Sequence, residues 1–114
     1  MQLLPTEVAA DLPGLYATEH ETDPLCHVKL FTPDANYTLW ATEFDPSQRL
    51  LFGYVRSGWD CELGYVSLDE LESVRGPLGL PMERDLYFTP TRLSEVRKAA
   101  EVDAQSGWLF AVGY

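Results

Sequence analysis

Carboxylates are the most numerous side chains in this sequence that could do chemistry. Asp60 and Glu62 are two residues apart, so a strand would place both on one face, where they could share a metal ion. No Lys follows them at the spacing of a metal-dependent nuclease. The strand register derived below places Glu43 and Glu62 on opposite faces of a sheet, so these two cannot flank one substrate. We expect solvated acids here and predict no catalytic residues.

Candidate metal ligands and nucleophiles are few. His20, Cys26 and His27 are the soft ligands nearest one another, but adjacent strand residues such as Cys26 and His27 point to opposite faces, which makes a tetrahedral site awkward. Ser67 suits a helix cap, and no His base accompanies it at a recognisable spacing. The segment 76–81 contains two prolines and no Lys-Ser/Thr pair, so it is not a phosphate loop. We therefore predict no metal and no cofactor.

One arrangement of residues favours binding. If every strand loop is a minimal turn, Lys29 pairs with Trp40 and Trp40 pairs with Gly53. Gly53 then pairs with Gly64, so all four residues share one face of the sheet. Glycine inside a strand often marks a close approach to the backbone, and these glycines predict a shallow groove walled by Trp40, with Lys29 and Glu62 nearby. Alternatively, Trp40 folds over the glycines and fills the gap.

A charged triplet, Glu83-Arg84-Asp85, follows the Gly/Pro-rich turn. We interpret it as an internal ion-pair cluster, in which a bidentate pair between Arg84 and Glu62 would anchor the turn to the sheet. Arg84 therefore joins the predicted binding site. The stretch 62–88 combines a strand, a helix start and a double turn without a polar linker, which indicates a tightly packed hinge between the sheet and its helices.

The elements that position these residues are strands followed by helices. Short turn clusters separate four strand candidates, so we predict a four-stranded antiparallel meander of residues 26–32, 37–44, 50–56 and 61–66. Residues 5–10 form a short N-terminal helix, and Ser67 with Glu70 forms a capping box for the next helix. Residues 83–88 are predicted to be extended, and a C-terminal helix spans 93–104.

The predicted register makes one face of the sheet almost wholly apolar. Leu39 and Phe52 belong to that face, which must be covered, whereas the other face mixes aromatic and charged residues. We therefore predict an α+β fold with helices packed on one face of the sheet. A slip of one residue between neighbouring strands would exchange the two faces.

Length and charge bound the class of protein. A chain of 114 residues with 46% hydrophobic and 12% aromatic residues predicts a single globular domain. The formal net charge is -10, and residues 1–45 contain one Lys against eight acids. Such a surface opposes direct binding to nucleic acid and suits solubility or a protein partner with a basic surface. Without a signal peptide or a membrane span, we expect a cytoplasmic location and reduced cysteines at Cys26 and Cys61.

Several strings resemble one bacterial family: LLP near the start, HVKLFTPDANYTLWATEFD, LLFGYV, ELGYVSLDELESVRGPLGLPMERDLYF and LSEV. They are similar to the family catalogued as domain of unknown function 2958, from Leu3 to about Val96, and leave residues 97–114 uncovered. The resemblance implies a bacterial cytosolic protein, often carried on plasmids or integrated mobile elements beside genes for conjugation and defence evasion. It implies no catalytic residues.

The composition and the predicted groove favour a small acidic binding protein that acts on a protein partner. The resemblance further implies an accessory of a mobile element with a role in defence evasion. The 18 acids are too sparse for a mimic of DNA. The alternatives are a small enzyme that uses unrecognised carboxylates such as Asp60 and Glu62, or a plain structural subunit. The apolar tail from Trp108 to Tyr114 either docks on the core or meets another chain.

Overall fold

The computed structural model describes residues 2–106, which form an α+β fold around an antiparallel sheet. The predicted class is confirmed, and the sheet has five strands rather than four. The predicted tail from Trp108 to Tyr114 lies outside the described residues. In chain order the elements are α1 (Thr6–Ala9), β1 (Leu25–Cys26), β2 (Val28–Phe31), β3 (Tyr37–Asp45), β4 (Leu50–Ser57), β5 (Asp60–Ser67), α2 (Leu68–Ser73), β6 (Glu83–Arg84), β7 (Thr91–Arg92) and α3 (Leu93–Ser106).

Strands β2 to β5 form the predicted meander, and β6 adds the fifth strand beside β2, which gives the order β5-β4-β3-β2-β6. The short pieces β1 and β7 pair with each other separately. Only Glu83 and Arg84 of the predicted extended stretch 83–88 join the sheet. Ser67 caps the N-terminus of α2 as predicted, because its Oγ accepts the Glu70 amide at 3.2 Å.

The strand register departs from the prediction at one place. Lys29 pairs with Trp40 and Gly53 pairs with Gly64, as predicted. Trp40, however, pairs with Tyr54 and not with Gly53. The loop 46–49 is longer than a minimal turn, and a β-bulge between Ala41 and Glu43 restores only part of the offset, so β3 and β4 are one residue out of the predicted register.

The slip of one residue exchanges side chains between the two faces of the sheet. Leu30, Leu39 and Leu51 lie on the face that packs against α2 and the N-terminal segment, called here the α2 face. On the opposite face, Trp40 and Tyr54 pack against Val96 and Ala100 of α3, and we call this the α3 face. The helices are therefore divided between the two faces, whereas the prediction placed them on one. Both faces of the central strand β3 are buried, so each face needs a cover.

Candidate functional site

An open groove of about 1010 Å³ runs along the outer side of β6. Its lining combines apolar and charged side chains from four parts of the chain: the N-terminal segment, β2, the end of α2 with the residues after it, and residues 81–87. The apolar lining consists of Leu3, Phe31, Leu71, Pro81, Met82, Leu86 and Tyr87. Tyr87 is 93% exposed and Leu86 is 67% exposed, so the rim offers apolar surface to a ligand.

The loop that brings residues 81–87 to the groove is fixed by Asp34. Asp34 Oδ2 accepts the Leu78 amide at 2.8 Å. Gly76 lies against the same carboxylate so closely that a Cβ atom there would be 1.7 Å from Asp34 Oδ1. The Gly/Pro-rich turn is therefore fastened to the turn between β2 and β3 (residues 32–36), and the chain returns from it directly into β6.

The outer edge of β6 is unpaired within residues 2–106, because β6 is the last strand of the sheet. The Asp85 amide donates to the Lys29 carbonyl at 2.9 Å, which directs that amide toward β2. Backbone groups of successive strand residues alternate in direction, so the N–H and C=O of Arg84 point outward to the groove. An extended segment could therefore add to the sheet at Arg84.

Charged side chains line the groove unevenly. Glu72 is paired with Arg49, whose Nη2 lies 2.5 Å from Glu72 Oε1. Asp85 is 3.7 Å from Lys29 Nζ. Arg84 is half-buried, and its Nε is buried without a hydrogen-bond partner among the described residues. Arg75 donates to the main-chain carbonyls of Glu72 and Val74 and to no carboxylate among the described residues.

The structure separates most of the residues that the sequence predicted to form one site. Lys29 Nζ lies 6.0 Å from the centre of the Trp40 ring, so these two side chains are neighbours, as the predicted strand pairing requires. Gly53 and Gly64 belong to the α2 face, opposite to Trp40, because of the shifted register. The predicted groove beside Trp40 is therefore absent, and Trp40 is only 1% exposed.

The predicted pair between Arg84 and Glu62 is also wrong. Arg84 is in β6 and Glu62 is in β5, and these strands form opposite edges of the five-stranded sheet. Glu62 and Asp60 are exposed on one face of β5, as their spacing predicted. Among the side chains that the structure describes, those of residues 2–101, no group of three or more His, Cys, Asp or Glu could hold a metal ion.

Trp40 is the centre of a buried cluster on the α3 face. Two side chains of the neighbouring strand β4 lie beside the Trp40 ring. The Arg56 guanidinium is 5.8 Å from the centre of the ring, and the centre of the Tyr54 ring is 6.2 Å away. Tyr54 Oη donates to Glu101 at 3.2 Å, and burial is the main cause of its raised pKa, followed by its contact with Cys61. The cluster attaches α3 to the sheet and leaves Trp40 inaccessible to a ligand.

Three acids stabilise loops by accepting main-chain amide hydrogen bonds, a role not predicted from the sequence. Glu43 is 3% exposed and accepts the Tyr16 amide, the Thr18 amide and the Thr18 hydroxyl. Asp23 accepts the Ser94 amide at 2.8 Å, and Asp34 accepts the Leu78 amide. An Asp directly after or before a Pro, as at Asp23 and Asp34, is a turn signal that could have suggested such main-chain bonds. Glu43 carried no comparable signal.

The match to known families covers nearly the whole described chain. The family model described as "Protein of unknown function (DUF2958)" matches residues 3–106. The chain belongs to the DUF2958 family. The match continues past the resemblance read from the sequence, which ended near Val96, and takes in all of α3. For this DUF2958 protein, no curated protein and no solved structure is significantly similar.

The family match includes every element that builds the groove. Residues Leu3, Leu71 and Arg84 all lie within the DUF2958 match. None of the helices described for this DUF2958 protein is long and apolar enough to cross a membrane.

Proposed function

We propose that this DUF2958 protein acts by binding a protein partner, and that it takes up an extended segment of that partner along β6. The observation that carries the proposal is the unpaired outer edge of β6, which opens onto an apolar groove about 1010 Å³ in volume. Addition of a strand to an exposed sheet edge obtains affinity from main-chain hydrogen bonds, and the neighbouring pockets supply specificity.

The side chains of the groove support binding rather than catalysis. The described residues that line it include no His, Cys, Ser, Thr or Lys, so a Ser, Thr or Cys nucleophile activated by a His or Lys base is not formed there. Two of its three carboxylates, Glu72 and Asp85, are engaged by Arg49 and Lys29. What the groove offers is apolar surface at Leu86 and Tyr87 together with free main-chain groups.

The proposed partner has a basic surface around the segment that enters the groove. The chain carries a net charge of -10, concentrated in residues 1–45, and such a field accelerates association with a positively charged protein. The proposal extends to the context that the sequence resemblance implies, in which the protein is a bacterial cytoplasmic accessory of a mobile element. There it occupies a basic surface of a host protein that takes part in defence.

The test compares a double variant within the groove with a single variant at an exposed leucine outside it. Leu86→Ser/Tyr87→Ser strips the rim of the groove, whereas Leu78→Ser removes a side chain that is 79% exposed and does not line it. A library of random 12-residue peptides displayed on phage is selected on the wild-type protein. We expect the selected peptides to bind the Leu78→Ser variant like wild type and to bind the double variant at least tenfold more weakly.

Amide chemical shifts locate the bound peptide. Binding along β6 is expected to shift the amides of residues 82–87, with the largest change at Arg84, whose main chain points outward. Peptides that bind wild type and the double variant equally, or that shift amides of α3 instead, would refute the proposed function. A photo-reactive amino acid at position 87 is then used to crosslink the natural partner in host cells. The selected peptide should compete with that partner and prevent the crosslink.

A further inference from the structure

Arg84 is the residue in the groove whose side chain has a buried hydrogen-bond donor without an acceptor in the described part of the chain. Its Nε is buried and has no hydrogen-bond partner among the side chains described for residues 2–101, and none of the ion pairs among them involves it. A buried polar group without a partner is costly, and buried polar atoms in native proteins are nearly always satisfied. Of the described side-chain atoms with this status, only Arg84 Nε belongs to a residue that lines the groove, where a bound ligand can supply the acceptor.

The acids near Arg84 do not supply that acceptor. Asp85 follows it directly but pairs with Lys29, and its Oδ1 also accepts the Tyr87 amide at 2.9 Å. Glu83 precedes it in an extended strand, so their side chains point to opposite faces. Glu72, the remaining acid of the lining, is held by Arg49.

The charges around the groove do not oppose an anion. The lining contains Arg75 and Arg84, and the cations Lys29 and Arg49 engage two of its three carboxylates. Arg49 also pairs with Asp69, so the lining and its paired neighbours hold four cations against four acids. The groove is therefore locally neutral in a chain whose net charge is -10.

We infer that Arg84 binds a carboxylate in the middle of the partner segment, so that the segment carries an Asp or Glu flanked by apolar side chains. A guanidinium offers a planar fork of donors that matches a carboxylate. The carboxylate is assigned to a side chain and not to a chain terminus because Arg84 is the central residue of the run 81–87, all of which lines the groove. A segment that passes through the groove therefore extends on both sides of Arg84. This inference rests on the proposed function.

The experiment uses the peptides selected from the random 12-residue library. We expect the selected sequences to share one Asp or Glu, and its replacement by Asn or Gln to weaken binding at least tenfold. Arg84→Gln should cause a similar loss, and Arg84→Lys should not restore it, because a lysine cannot form the bidentate pair. Lys98→Gln, on the exposed surface of α3, removes one positive charge elsewhere and controls for long-range electrostatics.

A second measurement needs no variant. In the wild-type protein, the Nε–Hε resonance of Arg84 should move downfield with the acidic peptide and stay in place with the amide analogue. This comparison tests whether Arg84 binds the carboxylate even if Arg84→Gln fails to fold, and an equal shift with both peptides would refute the inference.

The two failures are distinguishable. If the acidic and amide peptides bind equally, and Leu86→Ser/Tyr87→Ser still abolishes binding, the role of Arg84 is refuted and the proposed function stands. If the peptides bind that double variant as tightly as wild type, both are refuted.

Discussion

A Cβ atom added at Gly53 would lie 2.1 Å from the main-chain carbonyl oxygen of Trp40. The two residues are on neighbouring strands beside the β-bulge, where the backbones of β3 and β4 approach each other closely. The contact is with backbone, which cannot move aside as the end of a side chain can. Gly53 is therefore required by the fold itself, and Trp40 does not wall a binding groove above it.

Gly53→Ala is expected to lower the free energy of unfolding by about 3 kcal/mol, because the new methyl group must displace strand backbone. Gly64→Ala is the matched control, since a Cβ atom there meets nothing within 4 Å. It should be neutral or stabilise by about 0.5 kcal/mol, because alanine restricts the unfolded chain more than glycine does. Urea denaturation of both variants measures the difference. Equal stability of the two would show that the bulge tolerates a side chain.

Glu43→Gln is expected to destabilise the protein by about 2 kcal/mol, because one carboxylate oxygen that accepts main-chain or hydroxyl donors becomes an NH₂ group. The loss should be accompanied by faster hydrogen exchange at the Tyr16 and Thr18 amides. Glu62→Gln makes the same chemical change at an exposed position of β5 and should alter stability by less than about 0.5 kcal/mol. Unchanged exchange at Thr18 would argue against the role assigned to Glu43.

Asp23 is expected to contribute to the acid sensitivity of the fold. The Ser94 hydroxyl and amide donate to its carboxylate and hold its pKa below the usual value near 3.8. The contribution is therefore present above that unfolded-state pKa and is lost as the pH falls through the lower folded-state pKa. Asp23→Asn should reduce stability at pH 7 and flatten its decline below about pH 4. Thermal unfolding at pH 2 to 7 provides the measurement, and parallel pH profiles of wild type and variant would contradict it.

Cys26 is expected to be unreactive in the native protein. It is fully buried, and burial raises the pKa of its thiol to about 12, so the reactive thiolate is scarce at pH 8. Cys61 is half-buried and also free. Treatment with iodoacetamide followed by mass spectrometry should label Cys61 first, and in Cys61→Ser should label Cys26 only when the protein unfolds. Rapid labelling of Cys26 in the folded Cys61→Ser variant would overturn the assignment.

The sequence predicted most elements because their signals are local. Gly58 has a positive φ of 63° in the two-residue turn between β4 and β5, and such a turn sets the pairing of Gly53 with Gly64. The cap at Ser67 and the spacing of Leu93, Val96 and Ala100 likewise depend on neighbouring residues alone. These parts of the fold were predicted correctly.

The register between β3 and β4 could not be predicted because nothing in β3 distinguishes its two faces. Residues 38–44 are all buried, so either register buries the same amount of apolar surface. The loop 46–49, with Arg49 at a positive φ of 53°, and the bulge after Ala41 together decide the pairing. Asp45-Pro46 marks a turn without fixing the length of the loop, and no glycine marks the bulge.

The groove could not be predicted because it joins distant parts of the chain. Its lining brings together Leu3, Leu71 and Arg84, which meet only after β6 has added to the edge of β2. Arg84 was among the predicted binding residues and lines the groove, yet its expected partner Glu62 lies at the other edge of the sheet. Whether Lys29, Trp40 or the glycines contact a partner stays a prediction.

Strand β5 ends the sheet on the side away from the groove, and its outer edge, eight residues long, has no neighbouring strand within residues 2–106. Long exposed edges promote the stacking of copies into fibrils, and charges on such an edge oppose it. The role expected for Asp60 and Glu62 therefore requires no catalysis. We expect their charges to oppose polymerisation of concentrated protein through Leu63 and Tyr65, the exposed apolar residues of the same strand.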